Sequence, residues 1–103
     1  MKTHHYAVIF SSNLIDLDDS KYHAFSKEML EGVATAPGFL GVESYREKDG
    51  KGVTISYWET LSDIQEWKQN TRHLLAQKYG REEAYSSYQV RVCEVQHSYS
   101  FSK

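Results

Sequence analysis

Phe39-Leu40-Gly41-Val42-Glu43-Ser44-Tyr45-Arg46-Glu47-Lys48-Asp49-Gly50-Lys51-Gly52-Val53-Thr54-Ile55-Ser56-Tyr57-Trp58 lies at the centre of the chain and reads as two strands joined by a turn. Residues 39–47 alternate, with Phe39, Gly41, Glu43 and Tyr45 on one face and Leu40, Val42, Ser44 and Arg46 on the other. Residues 48–52 hold the Asp-Gly of a hairpin connection. Residues 53–58 alternate again, Val53, Ile55 and Tyr57 against Thr54, Ser56 and Trp58. The first set is assigned to the core. The second is polar and ends in a tryptophan, which suits a lined cavity or a seam between subunits.

On the N-terminal side of this hairpin, residues 6–11 form a short β-prone apolar run. Asp16, Asp18, Asp19 and Ser20 then supply the acidic, cap-rich start of a helix. Tyr22, Phe25, Met29 and Val33, with Leu30, form its apolar stripe to about residue 34. Pro37-Gly38 ends it. On the C-terminal side, Ser62-Asp63-Ile64-Gln65 is a capping-box pattern. Leu61, Ile64, Trp67, Thr71, Leu74 and Leu75 trace a second stripe, which Asn70-Thr71 divides into two helices or leaves as one. Gly80 stops it. Residues 80–87 read as a turn of helix, and residues 88–101 as an overlong last strand. Within that strand Val90 and Val92 give way to Val95, His97, Tyr99 and Phe101 on the opposite parity, a change that predicts a bulge or bend.

The order strand–helix–strand–strand–helix–strand around a central hairpin is the ferredoxin-like arrangement of the α+β class. Both helices then cover one side of an antiparallel sheet. The other side is left bare, with aromatics on it, and predicts a homodimer.

Composition narrows the function classes. The 103 residues fit one domain, residues 1–103, with 40% hydrophobic and 25% charged side chains. A net charge of −2 gives no electrostatic footprint for nucleic acid or an anionic membrane. No apolar run approaches the roughly 20 residues of a membrane span, and residues 1–5 do not resemble a signal peptide. The chain is therefore expected to be cytoplasmic. Cys93 is its only cysteine and reads as a small buried hydrophobe. His4-His5 is a terminal pair, and no His, Cys and Asp cluster has metal-ligand spacing.

Ser56-Tyr57-Trp58-Glu59, Ile64-Gln65-Glu66-Trp67-Lys68, His73 with Ala76-Gln77, Gly80-Arg81, Tyr85 and Tyr88 resemble the antibiotic biosynthesis monooxygenase family, as does Pro37-Gly38-Phe39-Leu40-Gly41. The resemblance covers about residues 6–101 and implies a dimeric α+β barrel. It implies oxygenation of a phenolic or quinol-like aromatic small molecule without a metal or flavin cofactor. An electron-rich phenol, once deprotonated, can itself pass an electron to dioxygen. The protein then supplies a dry pocket, a base and donors for the oxyanion. In those terms His73 is the base, Arg81 the oxyanion partner and Tyr85 a donor, while Trp58, Trp67 and Tyr88 bind the substrate ring.

Each residue has a structural alternative. Trp67 lies on an apolar stripe and suits core packing. His73 falls nearly opposite Trp67 on an unbroken helix, which suits a capping or interface role. Arg81 can serve a helix C-terminus, and Tyr85 and Tyr88 can seal a dimer. A dimeric small-molecule-binding or stress-response module without activity is the alternative function. Haem degradation, known in a related branch, is disfavoured: Gln77 stands where its ligating histidine is expected, and the first strand has no asparagine, Asn13 following it.

Overall fold

A computed structural model describes residues 5–103. His4 lies outside the described residues. The order of elements is β1 (His5–Leu14), α1 (Ser20–Val33), β2 (Phe39–Arg46), β3 (Lys51–Trp58), α2 (Leu61–Lys68), α3 (Thr71–Tyr79), a π-helical turn (Gly80–Ala84) and β4 (Tyr85–Val95). The strands form one antiparallel sheet in the order β2-β3-β1-β4. This is the expected ferredoxin-like α+β fold.

Local chemistry sets the ends of the elements. Asp19 caps α1 by accepting from the Tyr22 amide at 3.0 Å, an interaction worth about 1 kcal/mol. Its second oxygen accepts from the Tyr79 hydroxyl at 2.7 Å, which ties the start of α1 to the end of α3. That bond is the main reason the Asp19 carboxyl is held below its ordinary pKa and the Tyr79 phenol is pushed up to about 12. The cap of α2 is Thr60, two residues before the expected Ser62. Its hydroxyl oxygen accepts from the Asp63 amide at 3.1 Å, and the hydroxyl donates to the Asp63 carboxylate at 2.7 Å. The helical segment does divide, and Asn70 starts α3 by accepting from the His73 amide at 3.3 Å. Gly50 closes the β2–β3 turn at φ +99°, where a Cβ would collide with the Leu14 carbonyl oxygen.

Register decides which side chains meet the helices. Val42, Ser56, Val8 and Val92 form one cross-strand row, and Ser44, Thr54, Phe10 and Val90 the next. Trp58 follows on the same face and is 1% exposed, packed with Val33 and Ile64. The expected core face of β3 is thus reversed: Thr54, Ser56 and Trp58 face the helices. Val53, Ile55 and Tyr57 lie on the bare side with Ile9 and Cys93, all partly exposed. Glu43 joins two tyrosines there, accepting from Tyr57 at 2.8 Å and Tyr45 at 3.1 Å.

Two bulges also differ from expectation. The β2–β3 register slips between Phe39 and Gly41, leaving Leu40 as the extra residue. The slip turns Phe39 away from Gly41, Glu43 and Tyr45 and onto Trp58, 5.5 Å between ring centroids. In β4 the irregularity falls beside Leu14, between Tyr85 and Ser87, not at residues 92–95. From Ser87 to Val95 the pairing with β1 is continuous. The strand ends at Val95, so the parity change seen in the sequence marks its end. Tyr99 and Phe101 lie beyond it and are exposed.

Candidate functional site

Between the helix-facing side of the sheet and α1 and α3 lies a cavity of about 280 Å³. Its floor is the pair of cross-strand rows described above. Phe25, Met29 and Val33 of α1 roof it, and Ala76, Gln77 and Tyr79 of α3 close a side. The lining is mostly apolar, as a pocket for an aromatic ligand requires.

One end is built from Trp58, Ile64, Trp67 and His73. Trp58 donates its indole N–H to Ser56 Oγ at 2.9 Å, so this buried polar group is satisfied. Trp67 meets Trp58 at 6.5 Å and His73 at 5.4 Å, the latter edge to face at 65°. The Trp67 ring also reaches α1, where a Cβ on Gly32 would lie 3.4 Å from it. His73 Nδ1 is buried and has no hydrogen-bond partner among the described residues. Burial, then the nearby Lys68 charge, pushes the imidazole pKa down, so the ring is neutral at pH 7. An orphaned buried nitrogen typically costs about 1–3 kcal/mol. Such a cost, in the wall of a cavity, is what a catalytic or ligand-binding group carries.

The other end is a cluster of rings. Tyr85 packs on Phe10 at 5.4 Å, on Tyr22 at 5.7 Å and on Tyr88 at 6.1 Å. Burial is the main cause of a strongly raised Tyr85 pKa, with the Tyr22 hydroxyl adding to it, so its phenol stays protonated and can donate. The cation beside this cluster is Arg46, which the sequence reading did not select. Its guanidinium donates to Ser12 Oγ at 3.0 Å, to the Gly50 carbonyl at 2.8 Å and to the Tyr22 hydroxyl at 3.2 Å. It lies 6.0 Å from the ring centres of both Tyr22 and Tyr85. Arg46 was visible only as an alternating polar residue late in β2; its partners are 34, 24 and 4 residues away.

Five of the six expected site residues therefore line one cavity: Trp58, Trp67 and His73 at one end, Tyr85 and Tyr88 at the other. Arg81 does not. It is exposed on the π-helical turn and lies outside the lining, because that turn directs Ala84 inward instead. The expected oxyanion role of Arg81 has no geometry behind it. Gln77, at the haem-ligand position, lines the cavity. Asn13 donates to Ser87 Oγ at 2.9 Å and is not part of that lining. Among the described residues no group of three or more His, Cys, Asp or Glu is placed to hold a metal ion. A larger depression of about 570 Å³ over residues 11–13, 51–52 and 87–89 is more open to solvent.

Comparison with known proteins adds the following. The family model described as antibiotic biosynthesis monooxygenase matches residues 18–79. The uncharacterized protein YqjZ of Bacillus subtilis is 46% identical over 91 residues, covering 88% of this chain and 79% of that protein. The jasmonate monooxygenase ABM of Pyricularia oryzae is 25% identical over 92 residues, which span 87% of this chain and 43% of the fungal protein. Among solved structures, SnoaB, a cofactor-independent oxygenase from Streptomyces nogalater, superposes with a TM-score of 0.74 at 14% identity, covering 94% of this chain and 97% of that one. Rv0793 from Mycobacterium tuberculosis gives 0.74 at 16% identity, covering 95% and 99%. At these identities the structural likeness speaks to the fold.

Proposed function

The chain belongs to the antibiotic biosynthesis monooxygenase family, and on that premise we propose that it is a cofactor-independent monooxygenase for a phenolic or quinol-like aromatic small molecule. The observation that carries this reading is His73: a neutral imidazole with a buried, unpartnered Nδ1 in the wall of a mostly apolar cavity.

In the proposed reaction His73 takes the proton of the substrate hydroxyl, and the phenolate passes one electron to dioxygen. The resulting substrate radical and superoxide combine, forming a carbon–oxygen bond and a peroxide. The peroxide takes the proton back from His73, and loss of the ring proton at that carbon then cleaves the O–O bond, that proton joining the hydroxide released. One oxygen stays as a carbonyl, the other leaves as water, and the substrate supplies all four electrons. Trp58 and Trp67 wall the ring at the His73 end. At the far end the Tyr85 phenol, beside the Arg46 guanidinium, offers a donor to a developing oxyanion. A ligand that displaces water from the cavity strengthens both interactions.

A second copy of the chain covers the bare sheet face in this reading. Ile9, Val53, Ile55, Tyr57 and Cys93 are only partly covered there, and Tyr45 is 61% exposed beside them. A contiguous apolar sheet face of this kind favours association.

Oxygen uptake measured against a panel of hydroquinones and anthrones tests the proposal. Uptake that depends on His73 is expected. If the panel binds without uptake, the cavity serves ligand binding alone, and the monooxygenase reading is wrong.

A further inference from the structure

The floor of the cavity is divided along its length. Within the two cross-strand rows, Ser44, Thr54 and Ser56 stand with Val42 on the β2–β3 half, and Val8, Phe10, Val90 and Val92 on the β1–β4 half; the phenols of Tyr85 and Tyr88 lie beyond these rows, at one end of the cavity. Ser44 Oγ and Thr54 Oγ1 lie 2.7 Å apart, directly opposite one another across the strands. One of them donates to the other, which leaves the second hydroxyl hydrogen free. Ser56 Oγ accepts from Trp58, and its own hydrogen is likewise available. Positions on the helix-facing side of a sheet are ordinarily apolar, because a polar group there loses its water. Three adjacent hydroxyls on one half only are a one-sided exception.

Size limits what can lie on this floor. A protein cavity of about 150 Å³ accepts benzene, which is about 25 Å³ for each ring atom. On that scale 280 Å³ holds about eleven heavy atoms. That is one substituted ring or two fused rings. Adjacent strands are about 4.8 Å apart, so a flat two-ring ligand lying on the floor spans both halves at once.

We infer that Ser44, Thr54 and Ser56 form a polar rail that selects a two-ring aromatic ligand carrying its oxygen substituents along one long edge. The opposite hydrocarbon edge rests on Val8, Val90 and Val92. An oxygen placed against these three valines gains no hydrogen-bond partner from them. This inference rests on the proposed function for its choice of the cavity as the ligand site, and it adds the orientation and shape of the ligand.

Binding under nitrogen tests it without turnover, read as quenching of the Trp58 and Trp67 fluorescence. The probes are naphthalene, naphthalene-1,8-diol with both oxygens on one long edge, and naphthalene-1,5-diol with one on each. The 1,8-diol is expected to bind about five- to tenfold tighter than the 1,5-diol. The double variant S44A/T54V, which keeps Ser56 as the Trp58 partner and as the one remaining rail hydroxyl, should cut that ratio at least by half, with naphthalene bound no more weakly. Equal affinity of the wild type for the two diols, or a preference undiminished in S44A/T54V, overturns the rail while leaving the cavity as a ligand site. If none of the three probes quenches, the cavity reading falls and the rail with it.

Discussion

Trp67 and His73 touch edge to face, 5.4 Å between ring centroids, although they are six residues apart across the junction of α2 and α3. On one continuous helix that spacing is about one and two-thirds turns and puts them nearly back to back. The chain leaves α2 at Gln69, and Asn70 starts α3 as a separate helix. The break brings the imidazole onto the indole and into the cavity.

His73→Gln keeps a polar side chain of similar reach but no base. Oxygen uptake at saturating substrate should fall by about 10²–10⁴-fold, the usual worth of a positioned base. Far-ultraviolet circular dichroism should be unchanged.

The lowered His73 pKa also gives stability a pH dependence. The unfolded chain takes up a proton near the ordinary value of about 6.5, before the folded chain does. Stability from this group is complete above the unfolded pKa and is lost as pH falls through the lower folded value. The urea midpoint of the wild type should therefore drop more than that of His73→Gln between about pH 7 and pH 5.

Arg46→Met removes the donors to Ser12, Gly50 and Tyr22. Bonds to a charged donor suggest a loss of about 1.5–3 kcal/mol in urea denaturation. Arg46→Lys should recover only part of it, since an ammonium cannot reproduce the planar fork. A midpoint equal to wild type would show that the Arg46 bonds contribute nothing.

Much of this was legible in the sequence. The hairpin of residues 39–58 between two amphipathic helices determined the strand order, and the aromatic motifs led to five of the cavity-lining side chains. Three features were not legible, each for a physical reason. Strand alternation separates two faces without saying which is inside; Ser44, Thr54 and Ser56 face the helices because a cavity, and not a packed core, meets them. The Leu40 bulge reverses Phe39, and no local pattern at 39–41 marks it. Arg46 is held by groups brought together only by the sheet, whereas Arg81, next to the familiar Gly80, points outward.

Trp58→Ala would empty the core cluster with Val33 and Ile64. The cost should be about 3–5 kcal/mol, the range for a large buried aromatic. For Trp67, only half-buried, a smaller loss is expected together with weaker ligand binding.

The proposed pairing of two copies is tested on the bare sheet face. Ile55 lies directly opposite Ile9 there, away from the cavity. Ile55→Glu should convert a dimer to a folded monomer in analytical ultracentrifugation. A variant that stays dimeric would place the interface elsewhere.

In the proposed function this cavity oxygenates its ligand with His73 as base and the substrate as the sole reductant. Its most direct test is mass spectrometry of the product formed under ¹⁸O₂ from a two-ring quinol already shown to bind. One ¹⁸O atom per product molecule, no hydrogen peroxide, and loss of the label in His73→Gln are expected. Unlabelled product, or labelling that is undiminished in His73→Gln, would contradict it.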